Sequence, residues 1–195
     1  HYARLARETE FRGLFCVVSD PVEPLCRAAL LASNRDEDGG LDGRGLSVNQ
    51  VRGFGLGVMH ARAAYYARKD PRFADFLTEG RTFGPHGEGL VVANSIGNYH
   101  DELSRELTEK AKRANLDMRT LGYKPYVAPA LSSGALSLLA CLRGEWHCSS
   151  VFLEGVFFGI RNRLTDKGCE VERLAMPEAL LERINETITG LKAIE

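Results

Sequence analysis

The chain has 195 residues, 44% hydrophobic and 26% charged, with a formal net charge of -1. So even a balance supplies no field to draw in nucleic acid or an anionic membrane, and no apolar run approaches the roughly 20 residues that cross a bilayer. The opening His1-Tyr2-Ala3-Arg4-Leu5 has no apolar signal core, and the five cysteines, odd in number and never spaced CxxC, argue against a disulfide framework or zinc site.

The cysteines therefore read as small buried hydrophobes in a cytoplasmic chain. The chain does not begin with methionine, and its first segment, residues 2–10, already has the pattern of a mid-chain helix, which predicts a fragment. Residues 13–19 (GLFCVVS) are a continuous apolar run of strand length, suited to a strand buried on both faces of a parallel sheet. It stops at Ser19-Asp20-Pro21-Val22-Glu23, where Asp20 can cap a helix, Pro21 fits the first position and Glu23 completes a D-x-x-E capping box. The helix runs to about Ser33. Residues 34–47 (NRDEDGGLDGRGLS) read as a mobile surface loop, since their spaced acids lack the bidentate glutamate of a calcium hand. A short strand at 50–53 leads into a helix over 56–69, and Asp70-Pro71 opens a short helix through Leu77.

Two strand-like pieces, 81–83 and 90–93, flank the tight loop Gly84-Pro85-His86-Gly87-Glu88-Gly89. A long amphipathic helix is predicted over 99–121, with Leu103, Leu107, Ala111 and Ala114 on one face and Gly122 as its stop. A more apolar helix follows at 127–142, then strands at 147–153, 156–161 and 169–174, with Asp166-Lys167-Gly168 as the turn between the last two. Pro177 opens a final helix with Leu180, Leu181, Ile184, Ile188 and Leu191 on its buried side. The organisation is α/β at the start and α+β afterwards, changing near residues 50–56.

Gly53-Phe54-Gly55-Leu56-Gly57-Val58 follows a strand and opens a helix, as a dinucleotide-binding GxGxxG does. Valine occupies its sixth position, and no acid ends a strand about 20 residues on, so the match fails. The loop around His86 says more. Histidine titrates near neutrality and can take and return the proton of an alcohol, and flanking glycines leave a ligand room to approach. On local sequence alone, the favoured readings are a turn histidine satisfied by backbone for His86 and a solvated helix arginine for Arg62.

The order of the motifs changes that reading. Ser19-Asp20-Pro21-Val22-Glu23, the helix carrying Arg62, Gly84-Pro85-His86-Gly87-Glu88 and Gly122-Tyr123-Lys124 together resemble the lactate/malate dehydrogenase family. That family has S-N-P-V-D at a strand end, D-x-x-R on a helix, a G-x-H-G-[DE] loop, and a long helix ending in G-Y-T. The resemblance covers essentially the whole chain. It implies that residues 1–55 are the end of an incomplete Rossmann-type nucleotide-binding domain and residues 56–195 an α+β substrate-binding, catalytic domain. It also implies that the glycine loop holding most of the NAD lies upstream, and that the protein is a homo-dimer or tetramer acting on a small 2-hydroxy or 2-oxo acid.

Under the resemblance, Arg62 grips the substrate carboxylate with its planar fork and His86 is the acid/base. Ser19 and Asp20 stand at the nicotinamide–substrate junction. Three positions depart from the pattern. Met59 stands where the family has the aspartate that orients the histidine, Asp20 where it has asparagine, and Lys124 near the threonine that faces the substrate. Asp20 could replace the lost carboxylate beside His86, or only cap its helix. Lys124 could meet a second anionic group. These departures equally suit a non-catalytic member that binds an acidic metabolite or serves as an oligomerisation module.

Overall fold

The computed structural model describes residues 1–124 and 130–194. Helix α1 (Tyr2–Glu8) leads to strand β1 (Phe15–Val17), α2 (Val22–Ser33), β2 (Val51–Gly53) and α3 (Leu56–Ala67). After a 3-10 turn (Pro71–Phe73) and α4 (Phe76–Glu79) come β3 (Arg81–Phe83), β4 (Val91–Ala93) and α5 (Asp101–Thr120). Then follow α6 (Ser133–Leu142), β5 (His147–Leu153), β6 (Val156–Thr165), β7 (Gly168–Val171) and α7 (Glu178–Lys192). Of the helix expected at 127–142, residues 127–129 lie outside the described residues.

One five-stranded sheet runs β1-β2-β5-β6-β7, and β3 and β4 form a separate antiparallel ribbon. β1 and β2 are parallel, with Cys16 opposite Arg52. The sheet then turns antiparallel, and β2 joins β5 through a single residue pair, Gly53 with Ser150. The sheet thus crosses residue 55 without a break. β5 and β6 form a hairpin whose two turn residues, Glu154 and Gly155, both have positive φ (51 and 88), the backbone that matches the right-handed twist of the flanking strands.

Side chains alternate across each strand. Phe157 of β6 packs with Val22 and Cys26 of α2 and with Val51, while Cys148 of β5 joins the core formed by α3, α5, Phe73 and Phe76. The other face of the sheet carries Arg52, Ser149 and Asn162, linked by hydrogen bonds. A third core sets α7 against the β3–β4 ribbon and Phe158. Glu172 ties ribbon to sheet by accepting from Arg81 Nε at 2.7 Å and Arg161 Nη1 at 2.5 Å.

Several boundaries differ from the sequence expectation. Only three residues of the apolar run 13–19 pair as strand, because Val18, Ser19 and Asp20 leave the sheet for solvent. β6 continues to Thr165, since Arg163, Leu164 and Thr165 find partners on β7. Leu181, expected on the buried side of α7, is exposed. The acidic loop is tied down: Arg7 donates to Asp42 and Arg35 bridges to Leu41. Among the described residues no helix is long and apolar enough to cross a membrane, and no group of three or more His, Cys, Asp or Glu is placed to hold a metal ion.

Candidate active site

Three chain segments meet around His86. The first is the end of β1. The Asp20–Pro21 peptide is cis, and Pro21 itself occupies the N-cap of α2 with extended φ and ψ. Asp20 is therefore one residue too early to reach the first free N–H groups of the helix, and no side chain caps it. The expected capping box is not formed. Instead Asp20 stays 68% exposed in its side chain, with Oδ2 3.8 Å from His86 Nε2. That spacing is an ion-pair distance and too long for a hydrogen bond.

Glu23, the other half of the expected box, turns into the core. Its Oε1 accepts from Ser150 Oγ at 2.5 Å, and its Oε2 accepts from the backbone N–H of His86 at 3.3 Å. Burial, foremost, pushes its carboxyl above the usual carboxylate range, against the pull of these donors. One buried carboxyl thus joins α2, β5 and the histidine loop.

The second segment is the β2–α3 junction. The glycines that fail as a nucleotide fingerprint serve close packing. A Cβ on Gly55 would lie 2.8 Å from both the Cβ of His86 and a methyl of Val22, and one on Gly57 would lie 2.0 Å from Ser137 Oγ. With no side chain in the way, the Gly55 carbonyl accepts a hydrogen bond from His86 Nδ1 at 3.0 Å. This bond assigns the proton to Nδ1 and leaves Nε2 as the nitrogen that can exchange one.

The third segment is the glycine loop between β3 and β4, where Gly84, Gly87 and Gly89 all have positive φ. The loop seats His86 with most of its ring covered.

Arg62 projects from α3 and is only 4% exposed. Its Nη1 lies 3.5 Å from the sulfur of the fully buried Met59, a soft and weak acceptor. Burial holds its guanidinium below the usual arginine range, while the charge of Asp20 pulls the other way. Asp20 thus sits near Nε2 of His86 and acts electrostatically on Arg62. Ser19 is exposed beside Asp20 at the open end of β1. Lys124 is exposed past the end of α5 and adjoins residues 125–129, at the edge of the described residues.

No family model and no curated sequence matches the chain. Solved structures do. The minor L-lactate dehydrogenase from Enterococcus mundtii superposes with a TM-score of 0.70 at 21% identity, covering 98% of this chain and 67% of that one. The fold is that of lactate dehydrogenase. A lactate dehydrogenase from a Medee basin deep-sea metagenome library gives the same TM-score at 18% identity, covering 97% of this chain and 67% of its own.

Within this lactate dehydrogenase-like fold, sequence reasoning missed two groups. The Gly55 carbonyl belongs to no residue-type pattern; its only signal was a glycine that packing, not phosphate, required. Glu23 was read as a cap, yet a carboxyl two residues past a proline N-cap can turn inward when a hydroxyl such as that of Ser150 waits there.

Proposed function

We propose that the chain is the substrate-binding part of an NAD-dependent oxidoreductase that interconverts a small 2-hydroxy acid and its 2-oxo acid. The observation that carries this reading is the fixed imidazole. Nδ1 of His86 is held by the Gly55 carbonyl, Nε2 is turned toward Asp20, and the buried Arg62 lies within the influence of the same carboxylate. Arg62 would bind the substrate carboxylate through its planar fork, in a low-dielectric setting that strengthens the pairing. His86 Nε2 would take the proton from the alcohol in oxidation and return it in reduction. Asp20, across from Nε2, would stabilise the imidazolium, the task that the family aspartate performs and Met59 cannot.

The exposed end of β1 fits the nicotinamide ring. Val18 presents its apolar side chain to solvent at 68% exposure beside Ser19 and Asp20, a surface suited to one face of a flat ring. NAD, when bound, supplies the hydride acceptor or donor; most of the dinucleotide would be held by residues outside this chain. Residues 1–55 then belong to a Rossmann-type domain and 56–195 to the α+β catalytic domain, in a cytoplasmic homo-dimer or tetramer. Leu136, Leu139 and Leu142, exposed along α6, support an assembled state.

A second reading, a non-catalytic member that binds an acidic metabolite or serves as an oligomerisation module, is favoured by Met59. The two separate on NADH consumption by the natural protein with a panel of 2-oxo acids. We expect turnover that falls about a hundred- to ten-thousandfold in His86→Gln and rises in KM in Arg62→Leu. No turnover with any 2-oxo acid supports the second reading, and turnover untouched by His86→Gln removes His86 from the chemistry.

A further inference from the structure

The face of the sheet that meets α6 holds an electrostatic imbalance unrelated to His86. Arg52, at the centre of the buried strand β2, is 1% exposed. Among the described residues no carboxylate lies within ion-pair distance of it, and its Nε is buried with no hydrogen-bond partner. Its Nη1 donates to Asn162 Oδ1 at 3.1 Å and reaches Cys169 Sγ at 3.5 Å. A buried cation without a counter-ion is costly, and an unsatisfied buried donor calls for an explanation. Because the side chain is already sealed, little room remains for an acid from elsewhere to approach it.

Around this guanidinium are thiols. Cys16 lies directly opposite Arg52 on β1, and Cys141 on α6 and Cys169 on β7 share its electrostatic neighbourhood. Cys169 differs from the rest by its direct contact with Nη1, and like Cys16 it is half-buried where Cys26, Cys141 and Cys148 are buried, so a small solute can reach it. As a thiol it donates to Asn162 Oδ1, 3.8 Å away; as a thiolate it can accept from Arg52 instead. Burial pushes the thiols of Cys16, Cys26 and Cys141 up, and that of Cys148 to about 11.

The geometry points to Cys169 as an oxidative modification site, at which peroxide converts the thiolate beside Arg52 to a sulfenate that becomes the missing counter-ion. In that step the sulfur attacks hydrogen peroxide, an S–O bond forms and the O–O bond breaks. Sulfur loses two electrons, and the departing oxygen leaves as hydroxide. The sulfenic acid then gives its proton to solvent and stays as an anion against the guanidinium. The oxidised oxygen can also accept from Nη1 with the short, charge-assisted geometry that a thiol cannot provide.

The first test uses the wild-type chain, so that no variant need fold. Limiting hydrogen peroxide is added, sulfenic acid is trapped with dimedone, and the five cysteines are compared by peptide mass spectrometry. We expect the adduct at Cys169 to exceed that at each other cysteine by about tenfold, because its sulfur directly contacts the Arg52 guanidinium. An adduct that is absent from Cys169, or no greater there than at Cys16, overturns the proposal. In the second test, Cys169 is alkylated by iodoacetamide at neutral pH in the folded chain and in the chain unfolded by guanidinium. Faster reaction in the folded chain supports stabilisation by Arg52, and slower reaction overturns it. Neither readout depends on dehydrogenase activity, so failure of the functional assignment leaves the result interpretable.

Discussion

Gly55→Ala isolates the contact on which the histidine geometry depends. Gly55 has φ of -104 and ψ of -37, a backbone that alanine adopts freely. On propensity alone the substitution would stabilise by about 0.4–1 kcal/mol, through a less flexible unfolded chain. Space argues the other way. The new methyl would sit 2.8 Å from the Cβ of His86 and 2.8 Å from a Val22 methyl, closer than carbon atoms tolerate, so strand, helix or loop must shift. Overpacking of this kind costs about 1–3 kcal/mol. Moving the imidazole away also weakens the 3.0 Å bond to the Gly55 carbonyl, about 0.5–1.5 kcal/mol more. We therefore expect a net loss of about 1–3 kcal/mol, measured as a lower urea midpoint at constant slope. The ring nitrogens of His86, read by NMR, should lose their single fixed tautomer. Unchanged ring-nitrogen shifts in a variant at least as stable as wild type would refute the argument that the close approach at Gly55 orients His86.

Two further outcomes are expected. Asp20→Asn removes the charge 3.8 Å from Nε2 while keeping the side chain's shape. Because Asp20 is largely exposed, screening limits the loss in kcat/KM to about tenfold, and an unchanged kcat/KM in the natural protein would make Asp20 a bystander. His60 is held down to about 4, mainly by burial and then by the charges of Arg81 and Arg161. A histidine depressed in the folded state stabilises above its unfolded value near 6.5 and loses that contribution as pH falls toward 4. Urea midpoints should therefore drop between about pH 7 and about pH 4.5 by an amount that shrinks in His60→Gln, and identical pH dependence in the two proteins would show that His60 is not forced neutral.

Local patterns made the helices and the hairpins readable because their signals lie within a few residues: Asp70 accepts from Arg72 N–H at 3.0 Å, as its D-P pattern requires. The continuous sheet was not readable. The junction of β2 with β5 pairs residues almost a hundred positions apart through Gly53 and Ser150 alone, and neither residue's type specifies a partner. At the site, the order of Asp20, Arg62 and His86 along the chain carried the family resemblance. What it could not carry was a carbonyl reaching a ring because a side chain is missing, or a carboxyl turned inward by a proline at the N-cap. Both depend on how closely two backbones approach, which composition and spacing do not encode.

The single-pair seam between β2 and β5 also bears on the order of assembly. The β5–β6 hairpin closes through two turn residues and can form early, since little chain must be ordered before its ladder begins to pair. β2 docks onto it only after the long excursion through α3, α5 and α6, a contact of high sequence separation. If that docking is what fixes the β2–α3 junction, the Gly55 carbonyl, two residues beyond the seam, meets the His86 ring only afterwards. A chain that has collapsed around its hairpin would then look largely native by circular dichroism while its imidazole still lacked a fixed tautomer, so proton-exchanging competence would be among the last properties acquired in refolding.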